Sequence, residues 1–341
     1  MTALETDTVR HHRARRRWPE RLRELGRPGS LELLVVVLLG AAFARGWLAD
    51  LLAHPVAATL ATTFVSIVLV ALPFLVLGAP LSAAVTTFLT PQLLRRLLPE
   101  TPVAAVPVAG VAGAILPTDK LAAVPTAAAR IRNGVAAAAA LTLLLAAPAL
   151  SPVVLVATAV AFPAHPEMVA ARFFACLTAA VVLGLLWLRL GRPEWLPAAA
   201  GAGVHEPAKR WDAFWESCRR DVVRAGGFLV LGAFAVAALT TLLPPRWLAA
   251  IAASPAFAVV ALALLAVLFS VSSAADAFVV AALSQFSLTA RLAFLVVGPL
   301  VDLRQLAAQI AAFGTGFAVR FAPVTFAVAV LAAVAFGSVM L

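Results

Sequence analysis

Long apolar stretches divided by short polar breaks constrain this chain more than any other feature of its sequence. A helix rising about 1.5 Å per residue needs roughly 20 apolar residues to cross a hydrocarbon core about 30 Å thick. Stretches of that length run over about 31–52, 56–89, 134–162, 168–190, 221–243, 289–312 and 317–340. In lipid every backbone polar group must be bonded internally, so helices are the expected element. Composition agrees: 63% of the 341 residues are hydrophobic and 12% charged, with a mean hydropathy of +1.01. The chain reads as an all-α polytopic membrane protein.

The formal net charge of +10 is unevenly spread. Arg10, Arg13, Arg15, Arg16, Arg17, Arg21, Arg23 and Arg27 make 1–30 a basic segment, and Arg192, Lys209, Arg210, Arg219 and Arg220 mark a linker at 191–220. Positive charge beside membrane helices stays on the cytoplasmic side, so both segments are expected there, and nucleic acid is not the implied partner. The apolar run Leu31–Leu39 and the A-x-A pattern Ala42–Ala44 resemble a signal peptide. A basic region of about 30 residues followed by many spans instead predicts a retained first helix. Cys176 and Cys218 lack CxxC spacing, and His54, His165 and His205 lack metal-ligand spacing, so no metal is expected. GxxxxGK[ST] is absent, and no cofactor is expected.

The sequence repeats internally. FLVLGA at 74–79 recurs at 228–233, an offset of 154, and LLLAAPAL at 143–150 is echoed by FLVVGPL at 294–300, an offset of 151. Between them each half has a broken pair of shorter apolar pieces, 103–116 with 121–129 and 255–271 with 274–287. If 103–131 enters and leaves on one side, four spans return the chain to the cytoplasm at the basic linker; if it crosses, the linker falls outside. The expected architecture is two inverted repeats, 31–190 and 221–341, each with a kinked span, a re-entrant helix pair and two further spans, plus an extra N-terminal helix.

Chemistry is expected where polar residues interrupt these stretches. Pro117, Thr118, Asp119 and Lys120 form the first break, and Ser270, Ser272, Ser273 and Asp276 the second. Ionisable groups at membrane depth usually face a cavity or a partner, and serine hydroxyls with unwound carbonyls can hold a solute or ion. The same serines also suit close helix packing. Ser151, between Pro148 and Pro152, lies where proline frees carbonyls. Pro117, Pro125, Pro148, Pro152, Gly298 and Pro299 are the expected helix breaks, and Asp302 with Arg304 a structural charge pair.

These residues resemble the YraQ-type predicted permease family, which includes the trivalent organoarsenical efflux permeases, over about residues 60–341. The eight-residue spacing of Pro117 and Pro125, then Arg130, Arg132 and Gly134, then Ala146 through Pro152 follow the family's first pattern. Ser270 through Phe278 follow its second, S-x-C-S-x-A-D-A-F, and Phe294, Leu295, Gly298, Pro299 and Asp302 a third. Asp119, Leu121 and Ser272 stand at family cysteine positions, and Ser151 at an asparagine. The resemblance implies a multi-pass permease of the bacterial inner membrane. Thiolates suit soft trivalent arsenic, whereas Asp119 and Ser272 offer hard oxygen, which fits a small polar or anionic solute exchanged for protons through Asp119 or Asp276. An intramembrane enzyme using Asp119 and Asp276, and a structural or regulatory membrane subunit, are the alternative readings.

Overall fold

A computed structural model of the chain describes residues 46, 49, 50, 53–88, 99, 101–115, 120–132, 135–196, 210–269 and 273–341. The basic segment 1–30, most of the expected first span at 31–52 and residues 197–209 of the linker lie outside them. The body described below is Thr59–Leu341.

The described elements are helical. The first half holds α1 (Pro55–Phe88), α2 (Pro102–Ile115), α3 (Lys120–Arg132), α4 (Ala137–Leu150), α5 (Pro152–Ala161) and α6 (Glu167–Leu190). The second holds α7 (Arg210–Leu242), α8 (Pro245–Ala253), α9 (Pro255–Phe269), α10 (Ala275–Ala281), α11 (Leu288–Leu300), α12 (Leu303–Phe313) and α13 (Thr315–Met340). Among the described residues, five stretches are long and apolar enough to cross a membrane: Pro55–Gly78, Ala137–Ala161, Glu167–Leu190, Leu288–Phe313 and Thr315–Met340. The pair Leu229–Leu242 and Arg246–Ala253, bent by 104°, makes a sixth if taken as one span. The chain is thus a multi-pass membrane protein.

Two expectations shift. Pro125, Pro148 and Pro299 lie inside α3, α4 and α11 rather than at breaks. Proline removes one ladder bond to the residue four back, which a membrane helix tolerates. The chain turns extended slightly later, at Ser151 and at Val301. Pro152 then starts α5, where its missing N–H has no intrahelical partner to lose. The second shift is at α7, which begins at Arg210, inside the segment read as linker.

The packing of the first half recurs in the second. α2 packs on α4, and α9 on α11; α4 packs on α6, and α11 on α13. α3 lies against α4 as α10 lies against α11, and α5 against α6 as α12 against α13. The contacts between halves are reciprocal as well: α5 meets α10, α12 meets α3, and α6 meets α13. Close approach at the last helix of each half depends on glycine. A Cβ on Gly184 of α6 would collide with Thr142 of α4, and one on Gly337 of α13 would sit 2.6 Å from Thr289 Cγ2 of α11. Small residues supply this proximity in lipid, where apolar burial alone gives little drive for helices to associate.

Candidate functional site

The second break is held by an arginine. Arg172, in the second turn of α6, is fully buried. Its Nη1 donates to Thr158 Oγ1 of α5 at 2.7 Å, and its Nη2 donates to the Ser273 carbonyl at 2.8 Å. That carbonyl belongs to the turn entering α10, so one side chain joins α5, α6 and the break of the opposite half. Thr158 is oriented in turn by donating its hydroxyl to the Val154 carbonyl at 2.7 Å.

Asp276, in the first turn of α10 and only 2% exposed, lies within electrostatic reach of the same guanidinium. A carboxylate there also meets the positive end of the helix backbone. Cys176, one turn beyond Arg172, is buried and in electrostatic contact with it. Two buried polar atoms in this cluster have no hydrogen-bond partner, Arg172 Nε and Ser273 Oγ. Unmet buried donors and acceptors of this kind each cost about 1–3 kcal/mol, and a polar ligand would satisfy them.

α10 is fixed on several sides. It packs on α5, α7 and α11, and Phe278 stacks on Phe74 of α1 with ring centroids 5.7 Å apart. The two copies of FLVLGA supply α1 and α7 at this place. A Cβ on Gly78 would fall 2.6 Å from Val153 Cγ1 of α5, and one on Gly232 3.0 Å from Val279 Cγ2 of α10.

Of the other residues singled out by sequence, Ser151 is buried at the junction of α4 and α5, where its carbonyl accepts from Val154 and Leu155. Asp302 caps α12, its Oδ1 accepting from the Gln305 N–H at 2.6 Å, and pairs with Arg304 Nη2 at 3.7 Å. Lys120 is the first residue of α3. Pro117, Thr118, Asp119, Ser270 and Ser272 lie outside the described residues. Sequence reading passed over Arg172, Thr158, Gln305 and Gln309. A cation inside an apolar stretch was the available signal for the first of these.

The helical fold and the buried charge cluster define an integral membrane protein built around a polar break. A model of a family described as predicted permeases matches residues 56–338. The chain belongs to that family. It is 30% identical over 266 residues to a Streptococcus mutans protein described as "Putative two-component membrane permease complex subunit", covering 76% of this chain and 88% of that one. It is 28% identical over 260 residues to the Bacillus subtilis UPF0718 protein YcgR, covering 74% and 88%. No solved structure matches.

Proposed function

We propose that the chain is a secondary transporter of the bacterial inner membrane that moves a small polar solute outward in exchange for protons. Its halves, 31–190 and 221–341, are inverted repeats joined by a cytoplasmic linker at 191–220, with the N-terminus also cytoplasmic. The reciprocal packing of α5 on α10 and of α12 on α3 supports that symmetry. Transporters of this design place the solute where discontinuous helices of opposite halves meet, and alternate access by moving one half against the other.

The observation that carries the reading is the link from Arg172 to the Ser273 carbonyl beside Asp276. Exchange requires solute and proton to occupy the site in turn: an ionised Asp276 beside Arg172 accepts a hydrogen bond from the solute. A proton on Asp276 removes that acceptor and releases the solute. Asp119, Lys120 and Thr118 at the first break, Ser151 at the first kink, and Ser270, Ser272 and Ser273 at the second break complete the polar lining in this reading.

The test is proton release or uptake when small polar solutes are added to liposomes holding the purified chain. Solute-dependent flux that disappears in Asp276→Asn and in Asp119→Asn supports the assignment; flux unchanged in both variants removes it. A second reading, in which the chain works as one subunit of a permease with a separate partner polypeptide, is favoured by the description of the Streptococcus mutans relative. It predicts no flux from the chain alone and flux once the partner is co-reconstituted.

A further inference from the structure

α12 is built inside out. Its buried residues are Gln305, Gln309 and Phe313, one stripe at four-residue spacing, while Leu303 and Ile310 are exposed. Apolar residues outward and amides inward suit a helix with lipid on one side and a polar space on the other. Gln305 and Gln309 are 1% and 2% exposed, yet both atoms of the Gln305 amide and Oε1 of Gln309 have no partner. Among the described elements, α12 packs chiefly on α3 and α13. Among the residues of α3 whose burial is described, the buried ones are Ala123, Val124, Ala127 and Ala128, whose side chains offer no hydrogen bond.

The first half shows what such a position does when filled. Thr158 lies ten residues after Pro148, and Gln309 lies ten residues after Pro299. Thr158 receives a hydrogen bond from Arg172 of the following helix. α13, the helix following α12, carries Arg320 as its one cation, and Arg320 is exposed and bonded to the Gly316 carbonyl. Among the described residues of the second half none takes the place of the Arg172 guanidinium at Gln309, and Asp302 pins the first turn of α12 so that the amides hold their positions.

We infer that Gln305 and Gln309 form a second solute station between α12 and α3, selective for an uncharged solute that carries both hydrogen-bond donors and acceptors. Two amide oxygens ask for donors and one amide nitrogen asks for an acceptor. An anion with acceptors alone leaves both oxygens unmet, whereas an amide or a polyol satisfies the set. The station deepens the transporter reading: the solute passes between it and the site at Arg172.

Cysteine accessibility tests this without the natural solute. Gln305→Cys, Gln309→Cys and, as a lipid-facing control, Ile310→Cys are made in the full chain, with Cys176 and Cys218 kept. The reagent is a small charged methanethiosulfonate, and the unsubstituted chain sets the baseline. The expected result is labelling at both glutamine positions about tenfold faster than at Ile310→Cys, the factor equal to a barrier difference near 1.4 kcal/mol. Acetamide should slow that labelling by about twofold at a concentration equal to its dissociation constant, and acetate at the same concentration should leave it unchanged. Absence of labelling at both glutamine positions overturns the station; acetate protecting as well as acetamide overturns its selectivity. Labelling that persists in Asp276→Asn, where flux is lost, separates this inference from the transporter reading. Gln305→Leu and Gln309→Leu serve as the folding check, because removing unpaired amides should leave the melting temperature equal or higher while acetamide binding disappears.

Discussion

The guanidinium of Arg172 and the backbone carbonyl of Ser273 are 2.8 Å apart and 101 residues apart in sequence. This bond connects the second turn of a long first-half helix to the turn that enters the seven-residue α10. A helix as short as α10 cannot hold its own entry turn, so the break takes its shape from what surrounds it. Arg172→Met should lower stability by about 1–3 kcal/mol, the cost of leaving the buried Ser273 carbonyl without its donor. Arg172→Lys should recover only part, since an ammonium on a flexible stem does not reproduce the planar fork. Thermal unfolding in detergent, followed by tryptophan fluorescence, checks both; a Met variant as stable as the parent would remove the link from the account.

Thr158 is the other anchor of that side chain. Thr158→Val keeps the shape and removes the acceptor, which leaves a buried N–H unpaired at a cost of about 1–3 kcal/mol. Thr158→Ser keeps the oxygen and should stay within about 1 kcal/mol of the parent. The same melting assay compares the two.

Gly337 should not tolerate a methyl group. In Gly337→Ala the new carbon meets Thr289 Cγ2 at 2.6 Å, and overpacking of this kind costs about 1–3 kcal/mol. Adding Thr289→Ala removes the nearest atom, so the double variant should lose less than the sum of the single losses. Strict additivity would show that the α11–α13 contact at this point is slack.

Asp302 should matter as a cap. Asp302→Ala removes the acceptor for the Gln305 N–H and should cost about 0.5–2 kcal/mol. Asp302→Asn retains an oxygen there and should keep most of that stability. An Ala variant that melts with the parent would show that α12 is held by its packing on α3 and α13 alone.

The helices of this protein were readable because charge and proline interrupt otherwise unbroken apolar runs. The second break was legible for the same reason: Ser273 and Asp276 are polar residues in a stretch with no other excuse for them. Prolines misled on where helices end, because a lost ladder bond bends a membrane helix without terminating it, as Pro125 inside α3 illustrates. The first turns of α7 were read as linker on their polarity, although helices of any polarity can extend beyond the bilayer. Arg172 escaped because it lies near the start of a span, where a cation can be interfacial; its burial is set by partners 14 and 101 residues away. Gln305 and Gln309 were absorbed into an apolar average, while their four-residue spacing opposite Leu303 and Ile310 held the signal.

The separation of Arg172 from its acceptor carries a consequence for biogenesis. The ribosome delivers α6 to the translocon well before Ser273 exists, so the nascent first half must harbour a guanidinium whose carbonyl acceptor is still unsynthesised. An orphaned first half is therefore a natural target for the proteases that clear unassembled membrane proteins, and the two halves, expressed as separate polypeptides, should accumulate only together.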